Sequence, residues 1–288
     1  MFARPPRFVE GLPSPARCLV MGVLNVTPDS FSDGGRYLDP DLAVEHGRAL
    51  VGEGADLVDV GGESTRPGAV RPKAEEELDR VVPVVERLAA DGINVSVDTM
   101  RAEVAAAAVG AGAVLVNDVS GGRADEDMFA TVARLATPYV LMHWRAHSET
   151  MQEHTEYGDV VDDVVAELDA QLRAALAAGV DRNRIALDPG IGFAKTAEQN
   201  WTVLAGLGRL HDLGLPLLVA TSRKRFLGTL LADPRGEPRP PSGRDDATTA
   251  TSALAAAGGA WCIRSHSVRS SRDAVAVASR WAEEGPVR

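Results

Sequence analysis

The feature that most constrains this chain is a regular alternation of short apolar runs with longer stretches of helical pattern. The apolar runs predict strands at 18–24, 56–60, 94–97, 114–116, 139–142, 185–187, 217–220 and 261–263. Helical patterns lie between them, as at 41–53, 75–90, 101–108 and 159–178. Such alternation is typical of βαβ units and a parallel sheet. Eight repeats in 288 residues predict an α/β fold, a single-domain (β/α)8 TIM barrel.

A doubly wound open sheet is the alternative fold for the same alternation. An open sheet gathers its binding residues at one switch point between strands. Here polar residues follow nearly every predicted strand, which favours the closed barrel. We expect the barrel to occupy residues 18–288, after a proline-containing arm at 1–17 that lies on its base. Residues 233–244, rich in Pro, Gly and Arg, are expected to form an exposed insertion without a role in function.

Charge and hydropathy exclude several classes of partner. The net charge of −11 argues against binding to nucleic acid or anionic lipid, so a phosphorylated ligand would need local positive charge. No run approaches the about 18 apolar residues of a membrane span, and residues 1–17 lack the apolar segment of a secretory signal. We therefore expect a cytoplasmic protein, in which Cys18 and Cys262 are reduced core residues.

Polar residues stand at the end of every predicted strand, where a barrel of this type places its active site. Any one of them could be a helix N-cap or a turn former, but their repetition over eight strands indicates a site. The residues are Asn25, Asp59, Asp98, Asn117, Asp118, His143, Arg145, Asp188, Ser222, Lys224, Arg264 and His266.

The types of these residues suggest the chemistry of a ligand. Asp98, Asn117 and Asp188 can together bind the polar edge of a flat aminopyrimidinone ring. Asn25 offers a neutral oxygen, which suits a Mg²⁺ ion otherwise held by water and phosphate. Cationic groups suited to phosphate are Arg66, Lys224, Arg264 and His266. Two loops with Gly and Pro, 26–35 and 61–72, are predicted to be lids over the mouth of the barrel.

Two long segments resemble the signature segments of the dihydropteroate synthase family. They are Met-Gly-Val-Leu-Asn-Val-Thr-Pro-Asp-Ser-Phe-Ser-Asp-Gly-Gly (21–35) and Asp-Val-Gly-Gly-Glu-Ser-Thr-Arg-Pro-Gly (59–68). The resemblance continues at 96–99, 116–122, 141–143, 188–195, 222–224 and 264–266, and extends from about residue 18 to 282. One departure is Arg264-Ser265-His266-Ser267 after the eighth strand, where the family commonly has Arg-Val-His-Asp; Arg and His are kept, so the departure concerns residues that support the site.

The resemblance implies a transferase of folate biosynthesis that condenses 6-hydroxymethyl-7,8-dihydropterin diphosphate with 4-aminobenzoate, giving 7,8-dihydropteroate and pyrophosphate. Asn25 would coordinate Mg²⁺ with the diphosphate. Residues implied to bind the pterin are Asp98, Asn117, Asp188 and Lys224, with Asp59 in support. Arg264 and His266 would bind the diphosphate. Residues implied to line the aminobenzoate pocket are Phe31, Pro67, Phe193 and Ser222, with Thr65 near substrate. The residues expected to act in catalysis are Asp98, Arg66 and Asp33.

The mechanism implied by the resemblance begins with cleavage of the bond between the pterin methylene and oxygen. Mg²⁺, Arg264 and His266 would neutralise the leaving pyrophosphate, and Asp98 would stabilise the pterin cation. We expect Arg264 to be a rim cation that contributes little to stability. Sulfonamides are expected to inhibit as mimics of 4-aminobenzoate. Family members are commonly dimers, which predicts a homodimer through the helices at 244–258 and 270–284.

Two other functions remain open from the sequence. A barrel methyltransferase that uses methyltetrahydrofolate and a corrinoid would share the pterin-binding Asp and Asn residues, but would lack the Ser-Thr-Arg-Pro-Gly loop and the Arg-x-His pair. A non-catalytic paralogue would have lost charged residues of the loops first. The presence of that loop and of the pair Arg264 and His266 argues against the methyltransferase. The residues that argue against the paralogue are Asn25, Arg66, Lys224, Arg264 and His266.

Overall fold

Eight parallel strands form one sheet in the computed structural model, which describes residues 8–27, 40–64 and 71–283. The strands are β1 (Leu19–Asn25), β2 (Leu57–Gly61), β3 (Val95–Asp98), β4 (Leu115–Asp118), β5 (Tyr139–Met142), β6 (Ile185–Asp188), β7 (Leu218–Val219) and β8 (Cys262–Ser265). Nearly all their residues are buried, because helices cover one face of the sheet and the barrel interior encloses the other.

The sheet curves into a nearly closed barrel. The strand order is β6-β5-β4-β3-β2-β1-β8-β7. Its two edges meet at a parallel bridge between Leu187 and Leu217, where the Leu187 N–H donates to the Pro216 carbonyl over 2.8 Å. The predicted (β/α)8 barrel is therefore confirmed, and the alternative of an open doubly wound sheet is wrong.

Ten α-helices lie in the described residues and surround the sheet. They are α1 (Pro40–Gly52), α2 (Ala74–Ala90), α3 (Ala102–Gly110), α4 (Met128–Leu135), α5 (Val160–Ala177), α6 (Ala197–Ala205), α7 (Leu207–His211), α8 (Arg225–Leu230), α9 (Asp245–Ala257) and α10 (Val268–Glu283). Short 3-10 turns occupy Met151–Glu153, Arg182–Arg184 and Pro241–Gly243. Of the helices in the described ranges, none has the length and apolar character needed to traverse a membrane.

Alternate strand residues face two separate cores, because successive side chains of a strand point to opposite faces. Val20, Leu24 and Val58 belong to the outer core between sheet and helices. The inner core fills the lower part of the barrel and includes Leu19, Met21, Leu57, Leu115, Val140, Ala186, Leu218 and Cys262. Both cysteines are buried and free, as predicted.

Residues 8–17, the described part of the predicted arm, are anchored to the bottom of the barrel. Val9 is 1% exposed and packs into the inner core. The Glu10 N–H donates to the Asn183 carbonyl over 2.9 Å, and Arg17 makes two hydrogen bonds of 2.6 and 2.7 Å with Asp56.

The predicted insertion at residues 233–244 is exposed from 233 to 243, as predicted, whereas Arg244 is buried and donates to the carbonyls of Arg239 and Arg223.

Candidate active site

Six of the predicted site residues form a polar layer directly above the inner core. The polar layer consists of Asp59, Asp98, Asn117, Asp188, Lys224 and Arg264. Four of these follow an inner-core residue by two positions: Asp59 follows Leu57, Asn117 follows Leu115, Asp188 follows Ala186 and Arg264 follows Cys262. The period of two of a strand therefore turns these side chains into the barrel.

Arg264 joins the strands of this layer through its guanidinium. Its Nε donates to Asp59 Oδ2 over 2.5 Å, and its Nη2 donates to Asp98 Oδ2 over 2.7 Å. Asn117 Nδ2 donates to the same Asp59 oxygen over 2.9 Å. Asp59 Oδ1 is buried without a hydrogen-bond partner in the described residues, so it is an acceptor suited to a ligand N–H.

The expectation that Arg264 is a rim cation is wrong. Its side chain is only 17% exposed and lies between the carboxylates of Asp59 and Asp98. A guanidinium that is paired and enclosed in this way compensates charges that would otherwise be buried alone. Its predicted role toward a diphosphate stays a prediction.

Burial shifts the protonation equilibria of the layer. It raises the pKa of Asp98 to about 8, an effect that Arg264 opposes and Asp59 reinforces. Burial also raises the pKa of Asp188, against the attraction of Lys224. Conversely, burial lowers the pKa of Lys224 to about 8, although Asp188 favours its charged form. Asp98 and Lys224 can therefore exchange protons with ligand or solvent near neutral pH.

Lys224 and Phe193 meet at the loop that follows β6. The Lys224 Nζ donates to the Ile191 carbonyl and lies 4.8 Å from the centroid of the Phe193 ring. Gly192, at φ +83°, allows this contact because a Cβ there would lie 2.8 Å from Lys224 Cδ. The predicted pterin ligand Lys224 and the predicted aminobenzoate contact Phe193 are thus neighbours.

Ser222 and His266 form a second pair beside the polar layer. The backbone N–H of His266 donates to Ser222 Oγ over 3.0 Å, and the hydroxyl lies 2.9 Å from His266 Nδ1. A hydroxyl can donate one hydrogen bond and accept two, so Ser222 Oγ can pair with Nδ1 in either tautomer of the imidazole and fixes the orientation of the ring. A predicted aminobenzoate contact and a predicted diphosphate ligand therefore lie together.

Asn25 is the last residue of β1 and pairs in register with Gly61 of β2. It is partly exposed and shares the inward-facing parity of Met21. The predicted residues Phe31, Asp33, Thr65, Arg66 and Pro67 lie outside the described residues. In the ranges that the structure describes, no group of three or more His, Cys, Asp or Glu residues is arranged to hold a metal ion.

Two polar residues at strand ends face away from the barrel interior. Asp118 accepts from the N–H groups of Ser120 and Gly122 and from the Tyr139 hydroxyl, all within 2.8 Å, so it organises the turn after β4. His143 directs its Nε2 to Glu167 on α5 at 2.9 Å. The repetition of polar strand ends therefore includes residues that support the site from outside.

Sequence reasoning missed two groups of residues. Lys195 is 3% exposed and contacts His143 behind the loop after β6. Its position in the sequence, as a single lysine at the end of an apolar, glycine-containing loop, could have indicated that it is buried and paired. Arg101 donates to Glu77, to Glu63 over 3.3 Å and to the Pro72 carbonyl over 2.6 Å. No pattern in the sequence indicated Arg101, because its partners come from distant positions.

Comparison with known proteins agrees with this geometry. Residues 21–266 match the family described as pterin binding enzyme. The dihydropteroate synthase of Mycobacterium leprae (strain TN) is 58% identical over 93% of this chain and 94% of its own length.

Solved structures extend the likeness to three dimensions. Xanthomonas albilineans dihydropteroate synthase, solved with 4-aminobenzoic acid, has a TM-score of 0.85 at 44% identity, covering 94% of each chain. The Yersinia pestis dihydropteroate synthase, in a complex with a sulfonamide drug, has a TM-score of 0.88 at 39% identity, covering 96% of this chain and 99% of its own. With its barrel, its polar layer and these relatives taken together, the chain belongs to the dihydropteroate synthase family of pterin binding enzymes.

Proposed function

We propose that the chain condenses 6-hydroxymethyl-7,8-dihydropterin diphosphate with 4-aminobenzoate, forming 7,8-dihydropteroate and releasing pyrophosphate. It is a transferase of folate biosynthesis. The observation that carries the proposal is the polar layer, in which Arg264 bonds both Asp59 and Asp98 while Asn117 bonds Asp59. Such a layer offers both donors and acceptors to a flat, polar ring, and the apolar inner core closes the barrel beneath it.

The pterin is the substrate that suits this layer. Asp188 is 4% exposed and accepts from the Gly190 N–H at 2.7 Å through one oxygen, which leaves acceptor capacity for an amino-pyrimidine edge. Asn117 supplies an amide, and Lys224 a donor whose pKa of about 8 permits a charged or neutral form. Asp98 would stabilise the positive charge that develops on the pterin when the methylene–oxygen bond breaks.

The leaving diphosphate requires cationic groups on this chain. Arg264 and His266 would bind it, and Arg66 is proposed for the same negative charge. Arg264 is shared with Asp59 and Asp98, so binding of the diphosphate would compete with these carboxylates for its donors.

The aminobenzoate would bind beside the pterin, against Phe193 and Ser222, with Phe31, Thr65 and Pro67 contributed by the two loops. The Phe193 ring is half-buried and supplies an apolar face for the aromatic amine. The amine nitrogen bonds the pterin methylene as the methylene–oxygen bond breaks, and the amine proton passes to the released pyrophosphate or to solvent. We propose Asp33 and Arg66 as further residues acting in catalysis.

Magnesium is the cofactor that the chemistry of the diphosphate favours. The amide oxygen of Asn25 is a hard, neutral ligand at the inward-facing end of β1, which fits one position of a Mg²⁺ shell completed by phosphate and water. A bound Mg²⁺ would supply additional neutralisation of the pyrophosphate charge. Asn25 would thereby orient the diphosphate toward Arg264 and His266.

We also propose that the chain is a cytoplasmic homodimer, with residues 1–17 as an arm and 18–288 as the catalytic barrel. Three large apolar side chains on the last two helices support an interface there. Leu254 on α9 is 70% exposed, and Val277 and Trp281 on α10 are 60% and 66% exposed. Light scattering of the wild type and of the Trp281→Glu variant tests this interface; a monomeric wild type would contradict it.

The function is tested by mixing the protein, Mg²⁺, the pterin diphosphate and 4-aminobenzoate and measuring release of pyrophosphate. We expect turnover that requires both substrates and is lost with EDTA and restored by Mg²⁺. The Asp98→Asn variant should lose most of this turnover, whereas Asp79→Asn, at an exposed position of α2, should retain it. Absence of pyrophosphate release from folded wild type would contradict the proposal, and activity unaffected by EDTA would contradict the role of Mg²⁺.

A further inference from the structure

We propose that Lys195 is a positioning residue, whose ammonium group holds the loop after β6 so that Asp188, Phe193 and Lys224 are correctly placed. The inference rests on the proposed function, since these three residues are assigned there to substrate binding. Lys195 itself lies between this loop and His143, which follows β5, and is 3% exposed. It acts through its neighbours and not on the substrates.

Three acceptors surround the Lys195 Nζ. It lies 3.1 Å from the Gly190 carbonyl, 3.2 Å from the Phe193 carbonyl and 3.0 Å from His143 Nδ1. Two of these contacts tie together the ends of one short turn, and the third ties this turn to β5. An amine has two N–H groups, whereas an ammonium has three, which matches the number of acceptors.

Glu167 contacts the Nε2 of His143, whereas Lys195 contacts its Nδ1. The ionisation state of Glu167 therefore determines which nitrogen of His143 carries the proton. Burial tends to raise the pKa of Glu167, but hydrogen bonds from His143 and Arg145 overcome this effect and hold it at about 2. The ionised carboxylate can only accept, so His143 Nε2 must carry a proton at their 2.9 Å contact. Burial and the neighbouring Lys195 lower the pKa of His143 to about 4, so its ring is neutral and Nδ1 accepts from Lys195.

The loop that Lys195 holds carries the residues of the site. The Gly190 N–H donates to Asp188 Oδ1 over 2.7 Å, and the His143 N–H donates to the Asp188 carbonyl over 2.8 Å. Gly190, at φ +66°, lies so close to β5 that a Cβ would be 2.3 Å from the His143 carbonyl oxygen. Lys224 bonds the Ile191 carbonyl from the opposite side of the loop. Lys195 and Lys224 therefore hold successive carbonyls of one turn.

The charged groups that face Lys195 come from four elements. Asp188 lies on β6, Lys224 follows β7, Arg145 follows β5 and Glu167 lies on α5. Burial lowers the pKa of Lys195 to about 7; the two cations assist this effect, and Asp188 and Glu167 oppose it. In the part of the chain that the structure describes, no carboxylate bonds Lys195 Nζ directly; the loop carbonyls and His143 accept from it and compensate its burial.

The main test is the Lys195→Met variant, which keeps the length of the side chain and removes its donors. We expect KM for the pterin diphosphate to rise on the order of tenfold, since a displaced loop moves Asp188. A change that only reduced the amount of folded enzyme would lower apparent kcat and leave KM unchanged. Lys73→Met, at an exposed position before α2, is the matched control and should keep both parameters.

The second test reads the proton positions directly in the wild type. Nitrogen-15 NMR of histidine-labelled protein at pH 6 should show His143 as the neutral tautomer with the proton on Nε2. Glu167→Gln should disturb this tautomer and raise the same KM, and its effect should not add to that of Lys195→Met. This experiment remains decisive if Lys195→Met fails to fold.

The outcomes separate this inference from the proposed function. A wild type without turnover would overturn the proposed reaction. The positioning role of Lys195 would still be tested by calorimetry with the pterin diphosphate and by the NMR spectrum. An active wild type together with an unchanged KM in folded Lys195→Met would overturn the inference. A proton on His143 Nδ1 would overturn it as well, because Lys195 would then lack its third acceptor.

Discussion

The guanidinium of Arg264 on β8 donates to the carboxylate of Asp98 on β3 over 2.7 Å, although 166 positions separate the two residues. Asp59 on β2 accepts from the same guanidinium. Three strands thus place their charges in one enclosed space, where each charge depends on the others for compensation. The stability of the barrel and the chemistry of its site therefore share the same residues.

Replacing Arg264 should reduce stability as well as activity. In Arg264→Ala the carboxylates of Asp59 and Asp98 lose their shared cation, so we expect a loss of about 3–5 kcal/mol in the free energy of unfolding at pH 7. Urea unfolding measures this loss, with Arg269→Ala at an exposed position of α10 as the control. A change below about 1 kcal/mol, which is usual for an exposed ion pair, would contradict the structural role.

Replacing Asp188 should weaken pterin binding. Asp188→Asn keeps the shape of the side chain but exchanges one acceptor oxygen for a donor and removes the charge. The loss should be about 1.5–3 kcal/mol, the range for a hydrogen bond to a charged group, or roughly tenfold to a hundredfold in Kd. Calorimetry with the pterin diphosphate measures it, alongside Asp79→Asn. Equal affinity in wild type and Asp188→Asn would remove Asp188 from the pterin site.

Stability should fall in acid because of His143. In the unfolded chain this histidine binds a proton below about pH 6.5, whereas burial keeps it neutral in the folded protein down to about pH 4. The unfolded state therefore binds more protons between these values, and folding stability declines as pH falls through this window.

Unfolding by urea at pH 7 and at pH 5 tests whether His143 causes this loss of stability in acid. Between pH 7 and pH 5 the free energy of unfolding of His143→Gln should fall by about 2 kcal/mol less than that of the wild type. Each pH unit corresponds to about 1.4 kcal/mol per proton. His154→Gln, at an exposed position, should behave as the wild type does. Parallel losses in wild type and His143→Gln would show that His143 does not titrate in this way.

Sulfonamides should inhibit by competing with 4-aminobenzoate. If Phe193 forms a wall of the shared pocket, Phe193→Ala should raise KM for 4-aminobenzoate and the inhibition constant of sulfamethoxazole by similar factors, on the order of tenfold. KM for the pterin diphosphate should change less. Steady-state assays measure these constants, with Phe8→Ala, 64% exposed at the base, as control. Unchanged turnover at a saturating sulfonamide concentration would contradict the shared pocket.

Much of the architecture was predictable because it depends on local pattern. The alternation of apolar runs and helices predicted the eight strands, and β5 was predicted at its observed bounds. β3 and β6 extend one residue further than predicted, to Asp98 and Asp188, and β4 extends two residues further, to Asp118. The sequence placed these polar residues directly at the strand ends, and the closed sheet retains them within the strands because their backbones pair with neighbouring strands.

The sequence by itself determined which side chains stand at the strand ends, since a period of two directs every second residue inward. Tertiary structure alone decided their partners: Arg264 with Asp59 and Asp98, Lys195 with His143, and Asp118 with Tyr139. The physical reason is that a hydrogen bond acts over about 3 Å, and closure of the barrel brings strands within that distance whatever their separation along the chain.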